Sequence, residues 1–201
     1  MMLIESERLL TTQASESVRR ATVTGSSPTG IEVSGVSVGS TPAMSQVNDL
    51  MGVTEIRPGN YAFYDRDQGW LGSCSYRDPA LTVLTSVVSS QPGAAHSVVD
   101  AGALALSKDP GPEAAPPSMG EIYENYAQGR LATGSRVVSL SQEHGIVNAR
   151  YPLGTRLRLL PNHSCLTAYN FDSYWVTSGD EIVHRWRIWS GREPPSERPA
   201  I

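Results

Sequence analysis

The chain opens on a thin apolar stripe. Leu3, Ile4, Leu9, Leu10 and Val18 recur among polar positions, with Glu5, Glu7 and Glu16 outside the stripe, and predict a mostly polar helix over Leu3–Arg20. The Gly/Ser/Pro stretch Thr22–Gly30 reads as a loop. Ile31, Val33, Val36 and Val38 then predict a short strand that runs into the turn Gly39-Ser40-Thr41-Pro42. Helix, loop, strand and turn in that order predict the end of a β/α unit. Beyond Gly52 the texture changes to short β-rich runs around Ile56 to Tyr64, then Leu81–Ser89, Ala95–Asp100, Gly134–Leu140, Gly145–Ala149, Arg156–Leu160, Tyr174–Thr177 and Ile182–Trp189. Gly, Pro and Asp separate them, which predicts a mainly β barrel or sandwich. Lys108–Met119 is Pro-rich and predicts a surface loop, and the tail from Arg192 predicts disorder. The expected division is a β/α portion over 1–50, a β domain over 51–191 and a disordered tail over 192–201.

Composition narrows the function. The 201 residues are 39% hydrophobic and 18% charged, enough for a core, which excludes wholesale disorder. A net charge of −4 argues against a polyanion-binding surface, so no nucleic-acid partner is expected. No apolar run has membrane-spanning length, and MMLIESERLL lacks the apolar core of a signal peptide, so no membrane partner is expected either. Two cysteines, Cys74 and Cys165, are too few for a disulfide framework and predict reduced thiols in a cytoplasmic protein. Lys108 is the single lysine, so any chemistry that needs an amine has one candidate.

Four segments could carry chemistry. In Pro161-Asn162-His163-Ser164-Cys165, an extended backbone would send the side chains of His163 and Cys165 to one face, an N/S donor pair suited to zinc. Two protein ligands leave positions open for water and substrate, as in a catalytic metal site; the bland alternative is a buried cysteine beside a hydrogen-bonded histidine. Val38-Gly39-Ser40-Thr41-Pro42 could present backbone N–H groups and hydroxyls to a phosphate, or be a plain turn. Arg57 and Tyr61 offer a guanidinium fork and a phenol at what reads as a strand entry. Glu143 and His144 are adjacent, so on a strand they face opposite sides, and His144 reads as a packed histidine.

In order along the chain, VSVGSTP (Val36–Pro42), TEIRPGNYAFYD (Thr54–Asp65), VLTSVVS (Val83–Ser89), VVDAGALALSKDPG (Val98–Gly111), EHGIV (Glu143–Val147) and LGTRLRLLPNHSC (Leu153–Cys165) resemble the C-terminal half of D-serine dehydratase-like enzymes, the group that contains D-threonine aldolase. The resemblance implies an alanine racemase-like architecture: a β/α (TIM-type) barrel that holds pyridoxal phosphate, then a β-barrel domain, in monomers or homodimers. It implies that residues 1–50 are the last helix and strand of that barrel. It further implies Gly39 and Ser40 as cofactor-phosphate contacts and His163 and Cys165 as zinc ligands. Related aldolases tend to carry Asp where Cys165 stands and use harder metals, so the thiolate tilts the reading toward a dehydratase that converts D-serine to pyruvate and ammonia. The family's cofactor-binding lysine belongs to an early barrel strand to which nothing here corresponds, and Lys108 falls in the β domain. The expectation is a chain inactive alone, with an aldolase-type lyase and a non-catalytic metal-binding or interaction module as alternatives.

Overall fold

The computed structural model describes residues 1–5 and 35–189. The loop at Thr22–Gly30, the first half of the strand expected over Ile31–Val38 and the tail from Arg192 lie outside the described residues, as does the helix expected over Leu3–Arg20 beyond Glu5. The three described residues of that expected helix correct the expectation: they belong to the strand Met2–Glu5, β1, all four residues of which are buried. It pairs antiparallel with Leu81–Val83 and parallel with the strand at Ser173–Ser178, so its apolar residues serve a sheet rather than a helix stripe.

The strands in chain order are β1, β2 (Ser37–Gly39), β3 (Glu55–Arg57), β4 (Leu81–Ser89), β5 (Ser97–Val99), β6 (Gly120–Asn125), β7 (Arg130–Leu140), β8 (Gly145–Val147), β9 (Arg156–Leu160), β10 (Ser173–Ser178) and β11 (Glu181–Arg187). Their order in the main sheet is β11-β10-β1-β4-β5-β8-β7-β6-β9, and β9 pairs back onto β4. That last pairing closes β4, β5, β8, β7, β6 and β9 into a six-stranded barrel, leaving the long β4 to hand the sheet on to β1, β10 and β11. The mainly β fold expected from the short runs is therefore a barrel and not a sandwich.

Period-two alternation fills the barrel. Val83 and Val87 from β4, Val99 from β5, Val147 from β8, Val137 from β7, Ile122 from β6 and Leu157 and Leu159 from β9 all point inward and form one buried cluster. Register brings them level, with Val83 opposite Leu159, Ile122 opposite Leu159 and Val137 opposite Val147. A smaller cluster of Met2, Leu81 and Ala168, with Phe63, Phe171 and Tyr174 packed on it, lies outside the barrel where β1 meets the chain around residue 168. It is the platform for the site described below.

The turn between β6 and β7 is tied by Gly129 N to Tyr126 O at 2.9 Å. Gly129 has φ +67, and a Cβ there would sit 2.5 Å from the main-chain nitrogen of Arg77. Backbone cannot yield as a flexible side chain can, and the left-handed conformation adds its own cost for any L side chain. Gly129→Ala is therefore expected to destabilise the fold by about 2 kcal/mol, read as a lower urea midpoint at unchanged m-value.

Four short α-helices and a 3₁₀ turn (Asn60–Ala62) complete the described structure: α1 (Thr41–Met44), α2 (Arg66–Trp70), α3 (Ala103–Leu106) and α4 (Ser164–Tyr169). Among the described residues no helix is long and apolar enough to cross a membrane.

Candidate functional site

The strand β9 ends at Leu160, and the chain turns through Pro161 and Asn162 into α4. His163 stands at the helix entry with φ −132 and ψ 104, and Cys165 lies in the first turn. This corrects the continuous strand expected from the spacing. One extended residue followed by a helical turn still brings the pair together, close enough for the Cys165 sulfur to raise the proton affinity of the imidazole. Cys165 is exposed, whereas Cys74 is partly buried, and burial pushes its thiol up to about 12.

Distant carboxylates fix both residues. Asp109 Oδ2 receives His163 Nδ1 at 3.0 Å. Asp65 is completely buried and makes three bonds. Its Oδ1 accepts from Gln68 N at 2.9 Å, capping α2, while its Oδ2 accepts from Ser164 N at 2.8 Å and from the Asn60 amide. The same Asn60 amide nitrogen lies 3.8 Å from Cys165 Sγ. Asn162, also buried, donates to the carbonyls of Asp109 and Ser118 at 2.8 and 2.6 Å, which binds the Lys108–Met119 loop to the site. That loop is thus not merely surface. Its Pro116 carbonyl accepts from Arg66 Nη2 at 2.6 Å, and Arg66 Nε meets Glu121 at 3.0 Å in a buried ion pair.

These carboxylates shape the electrostatics. The Cys165 sulfur raises the His163 imidazole to about 9; burial opposes it, and Asp109 and Asp65 add to it. Burial, then repulsion from Asp65 and Asp109, pushes the Asp67 carboxyl up to about 7 against the pull of Arg66 and His163. Asn60 Oδ1, Asn162 Oδ1 and Ser164 Oγ are buried without a hydrogen-bond partner among the described residues.

The other candidates fall in different places. Gly39 ends β2, and Ser40, at φ 95, caps α1 by accepting from Ala43 N at 3.3 Å. Thr41 Oγ1 accepts from Tyr61 N at 2.9 Å, which joins this turn to the segment that carries Asn60 and so to Cys165. Arg57 is exposed on β3, opposite Gly39 in the register, and its guanidinium is held by Glu55 at 3.1 Å and Ser37 at 2.7 Å. Tyr61 is exposed in a 3₁₀ turn. Glu143 and His144 are exposed in the tight turn between β7 and β8, which corrects the packed histidine on a strand. Lys108 is exposed. Among the described residues no group of three or more His, Cys, Asp or Glu side chains is arranged to hold a metal ion, so the His163–Cys165 pair offers two protein donors.

A solved alanine racemase-like protein of Idiomarina loihiensis, 30% identical, superposes over 79% of this chain and 44% of its own at TM-score 0.70. Residues 80–177 match the family described as "Putative serine dehydratase domain". The chain belongs to the D-serine dehydratase-like family. D-threo-3-hydroxyaspartate dehydratase of Delftia sp. (strain HT23) is 37% identical over 200 residues, which are 94% of this chain and 50% of that protein. D-serine dehydratase of Dictyostelium discoideum is 38% identical over 167 residues, 77% of this chain and 42% of its own. An uncharacterized protein of Mycobacterium tuberculosis is 33% identical over 132 residues, 62% of this chain and 92% of its own. The chain thus spans about half the length of the two dehydratases. Two mutants of D-threo-3-hydroxyaspartate dehydratase, each 37% identical, superpose over 79% of this chain and 44% and 45% of theirs: a histidine-to-alanine mutant at TM-score 0.70 and a cysteine-to-alanine mutant in the metal-free form at 0.68. The two replaced residues stand two positions apart, the spacing that separates His163 from Cys165 here.

Asp65, Asp109, Asn60 and Asn162 were not singled out by the sequence, although all four fall within or beside the segments that carry the family resemblance.

Proposed function

We propose that this chain supplies the zinc-binding β domain of a pyridoxal-phosphate-dependent lyase that dehydrates 3-hydroxy-D-amino acids such as D-serine or D-threo-3-hydroxyaspartate. The observation that carries the reading is the His163–Cys165 pair, set side by side at the entry of α4 and backed by Asp109 on Nδ1. The donor chemistry fits. An imidazole nitrogen and a thiolate form a borderline-soft pair, and a zinc-bound histidine characteristically gives its other ring N–H to a carboxylate. The unpartnered acceptors Asn60 Oδ1, Asn162 Oδ1 and Ser164 Oγ belong to residues that bond or adjoin the pair, and water bound on a cation there would give them donors.

In this reading His163 and Cys165 hold the zinc, and Asn60, Asp65 and Asp109 hold His163 and Cys165. A bound zinc supplies Lewis-acid stabilisation to a departing β-hydroxyl, and pyridoxal phosphate supplies an electron sink for the deprotonated α-carbon. Gly39 and Ser40 would face the cofactor phosphate through main-chain N–H groups and the Ser40 O–H, which can donate while its oxygen accepts from Ala43 N as a cap. Lys108, the single lysine among these residues, is exposed in the loop after α3 and does not serve as the amine for covalent attachment in this reading.

The test is metal and cofactor stoichiometry on the purified chain. After equilibration with zinc and dialysis, one zinc per chain is expected by elemental analysis. Borohydride reduction in the presence of pyridoxal phosphate is expected to trap no more cofactor in this chain than in Lys108→Arg. A chain that retains no zinc would defeat the metal assignment, and stoichiometric trapping lost in Lys108→Arg would defeat the cofactor assignment.

A further inference from the structure

Asp109 lies 54 residues from His163 in the sequence and yet closes on it through a well-anchored loop. Its main-chain carbonyl takes the Asn162 amide at 2.8 Å, and its N–H donates to Ser107 Oγ at 3.3 Å. Its carboxylate is committed on both sides: Oδ1 accepts from Gly111 N at 2.9 Å, and Oδ2 faces His163 Nδ1 at 3.0 Å. Gly111 makes the first of these bonds possible. It sits at φ +77, where a Cβ would meet Arg66 Nη1 at 2.7 Å and Asp67 Oδ1 at 3.0 Å. The loop can therefore press close against α2 and present its carboxylate edge to the imidazole.

To ligate a metal the imidazole must release its second proton; the neutral ring then carries one N–H and one lone pair, and whichever nitrogen meets an ionised carboxylate keeps the proton. Asp109 therefore sets Nδ1 as the N–H and leaves Nε2 as the donor nitrogen. From this geometry we propose that Asp109 is the positioning residue of the metal site: it fixes the tautomer and ring orientation of His163 so that Nε2 and Cys165 Sγ serve one cation. The inference rests on the reading of His163 and Cys165 as metal ligands. Asp109 is not a third ligand, since both its oxygens are engaged within the protein.

Zinc affinity, measured by competition with a chromophoric chelator, separates these roles. Removing an outer carboxylate typically costs 10- to 100-fold in metal affinity. Asp109→Ala is expected to bind zinc about 10- to 100-fold more weakly than the wild type, and Asp109→Asn, which keeps the shape but one acceptor oxygen, to fall between them. With cobalt(II) in place of zinc, the thiolate-to-metal charge-transfer band should keep its position in both variants, because Cys165 remains a ligand; a structural collapse of the site would erase it. Equal zinc affinity in wild type and Asp109→Ala would overturn the inference. So would loss of the metal altogether in both variants, which would make Asp109 a ligand. A wild-type chain that binds no zinc would defeat the ligand reading itself, a different result from either of these.

Discussion

Replacing His163 by alanine or Cys165 by serine is expected to lower zinc affinity by at least about 100-fold, with the melting temperature of the metal-free protein shifted by less than about 3 °C. Either change removes one of two protein donors, and a divalent cation held by one side chain and water gains little over the hydrated ion. The small thermal effect follows from position. Cys165 is exposed and the His163 side chain is 38% exposed, so neither truncation opens a cavity in the core. A serine hydroxyl at 165 keeps the approximate shape but offers a harder, protonated oxygen in place of a thiolate, so it does not rescue binding. The measurement is chelator competition alongside calorimetry of the metal-free forms. If Cys165→Ser bound zinc as tightly as the wild type, the pair would be structural, and the dehydratase reading would lose its chemical support.

The elements legible in the sequence are those whose pattern is local. Leu81–Ser89 and Arg156–Leu160 coincide with β4 and β9 because β-branched and leucine residues alternate there with positions facing out. Gly120–Asn125 went unseen since Glu121, Glu124 and Asn125 dilute the apolar signal, and only the partners β7 and β9 make it a strand. Residues 3–5 mislead for a related reason. Leu3 and Ile4 suit a helix stripe equally well, and what decides is a slot between β4 and β10 that no local pattern announces. The six-residue helix α4 is too short to show a 3.6-residue period, so His163 and Cys165 were legible as a pair while the backbone that joins them was not. The residues behind them are harder still. Asp109 and Asp65 reach their partners across 54 and 99 positions, and an isolated aspartate beside a proline or a tyrosine carries no sign of such a bond.

Asp65→Ala is expected to cost about 3 kcal/mol of stability, the second large effect. The carboxylate is completely buried and serves two helices at once, capping α2 through Gln68 N and holding the first N–H of α4 through Ser164 N. Alanine leaves both N–H groups and the Asn60 amide short of an acceptor where water has little access. Loss of an N-cap is worth about 1 kcal/mol, and each further buried donor without a partner roughly 1 to 3 kcal/mol, with some of that recovered by relaxation. For a chain of this length the corresponding fall in melting temperature is about 6–12 °C. Asp65→Asn sharpens the argument. Its one carbonyl oxygen can serve α2 or α4 but not both, and its NH₂ group confronts the N–H it cannot accept, so its cost lies below that of alanine yet well above that of a surface change. Because Ser164 sits between His163 and Cys165, the same variants should also weaken zinc binding, which links the stability of the α4 entry to the chemistry it presents. A fall of less than about 3 °C in Asp65→Ala would show that the two helix starts are held by packing on the Met2–Leu81–Ala168 cluster alone.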